Sequence, residues 1–372
     1  MVETTVASRH NQRGGSGDVS PASGTTRAHD KLIAALRPTI VYDTYWRFAY
    51  ERQEIFFRRL ARSEGPWTAD EVLLRHKFTN AYRATDRVSQ YLIRRVIYEG
   101  DQSPEEVFFR VILFKLFNKI ETWELLSRTL GVLTWKDYSF VRYEEVLSKA
   151  RENNERIYSA AYIMPSAATA FGSRVKHQNH LRLVERMMES RLPDRLGNAP
   201  SMSSAFHLLL EYPSIGPFLA YQYVIDINYS SVTNFSENDF VVAGPGAKDG
   251  IRKCFADTRG YTDSEIIRIV CERQDSEFAR LGLAFRTLWG RQLQLIDCQN
   301  LFCEVDKYAR VVHPEHRGCT GRSRIKQIFR PKNTALSPWF PPKWNLNNLL
   351  QQTPRPVGKR PLGRNLSLDA TW

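Results

Sequence analysis

The sequence predicts an all-α protein, a bundle of helices with disordered ends. Three observations predict it. Apolar residues recur at three- and four-residue spacings in one stretch after another between Tyr42 and Val312. Helix punctuation falls at the edges of those stretches: Thr-x-x-Glu boxes at Thr68–Glu71 and Thr262–Glu265, prolines suited to a first turn at Pro104 and Pro217, and Gly131 at an end. Composition also shifts at both ends, to Ser, Thr and Gly at the start and to Pro, Asn and Arg beyond Gly318. We therefore read 1–35 as a disordered segment, 40–345 as one helical domain and 346–372 as a basic disordered tail.

Composition bounds the function. At 372 residues the chain can bury a sizeable core. A formal charge of +13 suggests nucleic acid or another polyanion, although from His313 onward eleven Lys/Arg stand against only two Asp/Glu, so the tail supplies most of it. No signal peptide or spanning run of about 18 apolar residues is visible, so no membrane partner is expected. Cys254, Cys271, Cys298, Cys303 and Cys319 follow no C-x-x-C spacing. They read as reduced thiols in an intracellular protein, nuclear in a eukaryote and otherwise cytoplasmic. No metal or cofactor is expected, and the absence of G-x-x-x-x-G-K-[ST] excludes a P-loop kinase on pattern.

Tyr45, Phe48, Ala49, Gln53, Phe56 and Leu60 set a helix of about five turns that ends at Gly65-Pro66. Its arginines suit either a phosphate backbone or a solvated face shared with Glu51 and Glu54. Thr68 then opens a helix holding HKFTNAYRATDRVSQYLIRRV, on which Asn80, Arg83, Arg87 and Gln90 share a face beside Asp86. That face can present donors and acceptors to a base or phosphate, or form a structural polar layer. From Pro104 to Gly131 runs the most apolar stretch, a central helix on which Glu121 would sit where water is scarce. There it is either a buried structural ion or a pocket acid with a raised pKa.

Apolar Ala205, Leu208, Leu209 and Leu210 lead into the turn at Pro213, Ser214, Ile215 and Gly216, and Pro217 starts a second helix. Helix, Gly-containing turn, helix over 205–230 is the outline of a helix-hairpin-helix, whose turn N–H groups can hold a DNA phosphate. Asp239 follows 23 residues beyond Gly216. The Gly244-Pro245-Gly246-Ala247 loop opens a helix with Lys248, Arg252 and Lys253, either a phosphate cradle or a plain turn between helices. Last comes a long helix on which Asp297, Asn300, Glu304 and Lys307 recur, reading as a buried network or one wall of a cleft. Trp339-Phe340-Pro341-Pro342-Lys343-Trp344 is expected to dock on the body.

The hairpin followed by a lone Asp resembles the helix-hairpin-helix DNA glycosylases, with Ser214 in place of the usual first turn Gly and Phe218 in place of the lyase Lys. Taken together, YDTYW at 42–46, KFTNAYRATDR at 77–87, FKLFNKIETWELL, IGPFLAYQYVIDINYS, DFVVAGPGA and DCQNLFCEVDKYAR resemble the 5-hydroxymethyl-deoxyuridine (5-hmdU) DNA kinase helical domain, also called the α-glutamyl/putrescinyl-thymine pyrophosphorylase family. The resemblance implies an all-helical, DNA-glycosylase-like body that works on hypermodified thymine in DNA, beside a separate kinase or other DNA-modification enzyme.

A protein acting on such a base must flip it from the stack. Tyr45, Trp46 and Tyr82 are the candidate stacking aromatics. Asp239 is the candidate acid/base or charge-stabilising carboxylate, with Glu121 and Asp86 behind it. Gly216, Gly246, Lys248, Arg252, Asn80, Arg83 and Arg87 are the candidate DNA and phosphate contacts. Three functions stay open: a transferase or hydrolase on modified thymine, a non-catalytic reader of modified DNA, and a monofunctional glycosylase.

Overall fold

The computed structural model describes residues 33, 35–62, 64–331 and 335–352. The disorder expected for 1–35 therefore lies almost wholly outside the described residues, as does most of the tail. Among the described residues every regular element is helical, and three isolated bridges are the only strand-like pairings.

Helix α1, Ile40–Ala61, starts at Thr39, whose hydroxyl accepts from the Val41 N–H at 3.2 Å. Its inner face carries Tyr45, Trp46, Phe48 and Ala49, all 0% exposed. Tyr45 and Trp46 therefore do not meet a base as expected. Tyr45 lies 4.6 Å from Phe302 and donates its hydroxyl to the Cys298 carbonyl, while Trp46 meets Phe278 edge-on at 5.0 Å. Apolar periodicity marked their helix correctly, but aromatic residues on such a stripe belong to the core first.

The helix expected after Thr68 is broken. Asp70, not Thr68, caps the five-residue α2, Glu71–Arg75, and Thr68 instead donates to Glu51. A loop and a 3₁₀ turn at Arg83–Thr85 follow before α3, Arg87–Tyr91, which runs on into a π turn at Leu92–Ile97. Side chains take over the loop's backbone groups. Arg52 donates to the carbonyls of Phe78 and Thr79, Glu304 accepts from the Thr79 N–H, Asp86 from that of Asn80, and Asp297 from that of Arg83. The residues that read as one helix face are split between this loop and 3₁₀ turn (Asn80, Arg83) and the start of α3 (Arg87, Gln90).

The apolar stretch is likewise two helices. Central α4, Pro104–Phe117, is buried almost all round and stops at Asn118, in the left-handed region at φ 48. Helix α5, Ile120–Leu130, then leaves at a new angle, which puts Glu121 on the solvent side, 57% exposed and 3.6 Å from Lys119. Its own backbone N–H, followed by Lys119, holds its carboxyl below the ordinary value, so it is not a pocket acid. Helices α6 (Phe140–Glu152), α7 (Ala168–Phe171), α8 (Lys176–Glu189) and α9 (Leu192–Gly197) wrap this centre.

The hairpin helices form as read: α10, Met202–Leu210, and α11, Pro217–Asn228, pack on each other. Ser214 carries the left-handed turn conformation at φ 65, the role a turn glycine would have taken. Helix α12, Pro245–Cys254, is followed by α13 (Asp263–Glu272), opened by the expected Thr262–Glu265 capping box, and by α14 (Gln274–Arg280). Helix α15, Leu295–Val312, makes the most extensive helix pair with α12. The pair closes because Gly246 and Gly250 are spaced one turn apart on the contact face. A Cβ on Gly246 would lie 3.2 Å from the Cys303 Cβ, and one on Gly250 would lie 2.7 Å from the Phe302 carbonyl carbon. Gly246 therefore serves helix packing. Gly250→Ala is expected to lower stability by about 1–3 kcal/mol through overpacking. An unchanged thermal midpoint, followed by circular dichroism, would show that the pair has slack.

Beyond α15 the chain returns across the body. Phe340 is fully buried, Trp339 exchanges hydrogen bonds with Gln90, and a final helix α16, Asn347–Gln352, stands where the tail was read as disordered. Among the described residues no helix is long and apolar enough to cross a membrane.

Candidate functional site

Two buried charged residues from neighbouring helices meet at the centre. Lys115 comes from α4 and Asp226 from α11, and burying either alone would cost several kcal/mol. Arg83 arrives from the loop. Its Nη1 and Nη2 donate to the two Asp226 oxygens at 2.7 and 3.0 Å, and its Nε reaches Gln222 at 3.2 Å. Lys115 Nζ lies 3.0 Å from Asp226 and donates to Asn118 at 2.8 Å. Burial works to raise the Asp226 pKa, but the two cations outweigh it and hold the carboxyl below its ordinary value. Burial lowers Lys115, an effect that Asp226 opposes. Two cations face one carboxylate here.

This accounting removes several expected phosphate contacts. Arg83 is 3% exposed and fully engaged inside. Asn80 spends its side chain on Arg52 and the Thr85 carbonyl. Tyr82, 1% exposed, donates to the Arg291 carbonyl and is core. Asp86 is half-buried, and burial lifts its carboxyl to about 7 against the Asn80 N–H, which favours the charged form. Arg87 alone of this group is exposed. With Arg94, Arg95, Tyr91, Gln90, Ile120 and others it lines a surface groove of about 350 Å³. Lys248 is exposed, and Arg252 lies 3.3 Å from Asp263.

At the hairpin, Gly216 is exposed at the N-cap of α11, with nothing near the place of a Cβ. Asp239 lies exposed on the turn at 236–239, where its N–H donates to the Ser236 carbonyl. The carboxylate that the same turn sends inward is Glu237, 5% exposed. One Glu237 oxygen pairs with Arg291 at 3.1 Å, while Oε1 is buried without a partner, as is the Tyr221 hydroxyl on α11. The returning chain covers this side. Lys343 donates to the carbonyls of Ser230 and Thr233, and Arg291 lies 3.9 Å over the Trp344 ring. Sequence reasoning passed over Lys115, Asp226 and Glu237. For Lys115 and Asp226 the available signal was a charge inside an apolar run, which burial obliges to find a partner; the polar turn around Glu237 carried no such signal.

A family model described as "5-hmdU DNA kinase, helical domain" matches residues 39–318. The chain belongs to that family. The 5-hmdU DNA kinase helical-domain match takes in the hairpin, the buried cluster and every candidate site residue, and it ends before the segment that docks at 339–344. A curated relative, the 5-hmdU DNA kinase of Bacillus phage SP10, is 26% identical over 286 residues, covering 72% of this chain and 45% of that protein. The chain thus spans less than half the length of that relative. No solved structure matches the chain.

Proposed function

We propose that this helical domain grips DNA and presents a modified thymine, 5-hydroxymethyluracil or its phosphate ester, for group transfer at the 5-methylene carbon. The observation that carries the reading is the family match over residues 39–318. Arg87, Arg94 and Arg95 in the surface groove are the proposed backbone contacts, joined by the turn at Gly216. In the proposed step the bond from the methylene carbon to the phosphate oxygen breaks and the phosphate leaves with the electron pair. An amine nitrogen bonds to that carbon, and its proton passes to a carboxylate of the 236–239 turn. Lys248 and Arg252 would receive the leaving phosphate. Making the ester falls to a separate kinase.

The test incubates the protein and an amine with duplexes carrying thymine, 5-hydroxymethyluracil or its phosphate ester, then weighs the nucleosides. A new adduct on the ester duplex is the expected result. Abasic product would make the protein a glycosylase, and selective binding without product would make it a reader. Either outcome replaces the transfer reading. Asp239→Asn and Glu237→Gln then identify the carboxylate: the variant that loses the adduct but keeps DNA binding names it. Full activity in both removes the turn from the chemistry.

A further inference from the structure

The segment between α6 and α8 contains a conformation that core packing alone does not require. Tyr162 adopts φ 56, a left-handed backbone that costs a bulky aromatic residue about 1–3 kcal/mol and persists only where the surroundings impose it. Its half-buried ring lies parallel to Phe218, at 3° and 5.7 Å, on the first turn of α11 just past Gly216. Phe218 is itself pinned, because a Cβ at Gly244 would come within 2.7 Å of its ring. Behind Tyr162, 4.7 Å from the ring centre, sits the Lys115 ammonium of the buried cluster. The next residue, Ile163, is a large apolar side chain left 72% exposed, while Met164, 1% exposed, anchors the loop by accepting from the Tyr223 hydroxyl.

Strained platform, exposed apolar tip and buried anchor occupy three consecutive positions. We propose that this loop is the base-extrusion device of the domain: Ile163 wedges into the duplex at the vacated step, and the extruded pyrimidine stacks on the Tyr162–Phe218 pair. The inference rests on the proposed engagement of modified thymine in DNA and supplies its residues. An exposed isoleucine is suited to fill a base step, since apolar wedges offset part of the unstacking cost. A parallel aromatic pair has a π-face to offer any base, which is sequence-tolerant and worth about tenfold or more in affinity.

The experiment uses the full chain and two probes carrying 5-hydroxymethyluracil: a duplex with 2-aminopurine beside the modified base, and a single strand of the same sequence. Wild type is expected to bind both and to raise 2-aminopurine fluorescence in the duplex. Ile163→Ala, a surface change that leaves the fold intact, should weaken duplex binding about tenfold and abolish the fluorescence rise while single-strand binding stays unchanged. Tyr162→Ala should weaken binding to both probes about tenfold. If wild type binds modified DNA but Ile163→Ala and Tyr162→Ala leave affinity and fluorescence unchanged, the loop is not the device and the proposed function stands. Wild type that binds neither probe overturns both.

Discussion

Asp226→Ala will cost about 3–5 kcal/mol of folding stability, because it strands two buried cations that share one carboxylate. Arg83 loses both oxygens of its fork and Lys115 loses its 3.0 Å partner, at a site where neither is more than 3% exposed. Removing the opposing charge as well tests the cause. Arg83→Met combined with Asp226→Leu should be less damaging than the sum of the single changes, since no lone buried charge of that pair remains. The pH dependence has a definite sign. Asp226 is held below its ordinary value, so its contribution is fully present above the unfolded-chain pKa and is lost as pH falls through the depressed folded value. Urea unfolding at pH 7 and at pH 3 measures both effects. A loss of less than about 1 kcal/mol in Asp226→Ala relative to wild type would mean that the cluster rearranges or admits water.

The same cluster explains what was legible in the sequence and what was not. Periodicity and capping delivered α1, α11 and α13 because those features are local: a Thr-x-x-Glu box either closes, as at Thr262, or it does not. Thr68 misled because Asp70, two residues later, offers a competing cap and Glu51 on α1 claims the Thr68 hydroxyl. The stretch at 76–86 read as helix because its spacing fits one. Partners from α1 and α15 instead bind its backbone groups in a loop, and no local pattern records those distant bonds. The site followed the same rule. Gly216 and Arg87, proposed from turn chemistry and charge, are exposed. Tyr45, Trp46 and Tyr82 have the residue types that bases stack on, but those types also fill cores, and the choice between the two depends on neighbours hundreds of residues away. Glu121 is exposed for a similar reason: one left-handed Asn118 redirects the chain before it.

Asp297 shows the opposite titration to Asp226, and its variant gives the second large effect. Burial raises its carboxyl to about 7, and Glu237 adds to the rise, while the N–H groups of Gln294 and Arg83 and the Arg291 guanidinium oppose it. An acid whose folded pKa lies above its unfolded value binds its proton more tightly when folded. The charged form is therefore a penalty, absent below the unfolded pKa near 4 and complete above about 7. About three pKa units correspond to about 4 kcal/mol as an upper bound on that penalty. Stability should consequently fall as pH rises from 5 to 8, and Asp86, half-buried and also raised to about 7, works in the same direction. Asp297→Asn cannot ionise, so it should flatten the slope. It also leaves only one acceptor for two backbone donors, Arg83 N–H at 2.7 Å and Gln294 N–H at 3.0 Å, which costs about 1–3 kcal/mol at every pH. The variant should therefore be clearly less stable than wild type at pH 5 and should close the gap by pH 8. If urea midpoints at the two pH values keep the wild-type difference in Asp297→Asn, the buried carboxyl is not what the protein titrates, and the slope must be sought at Asp86.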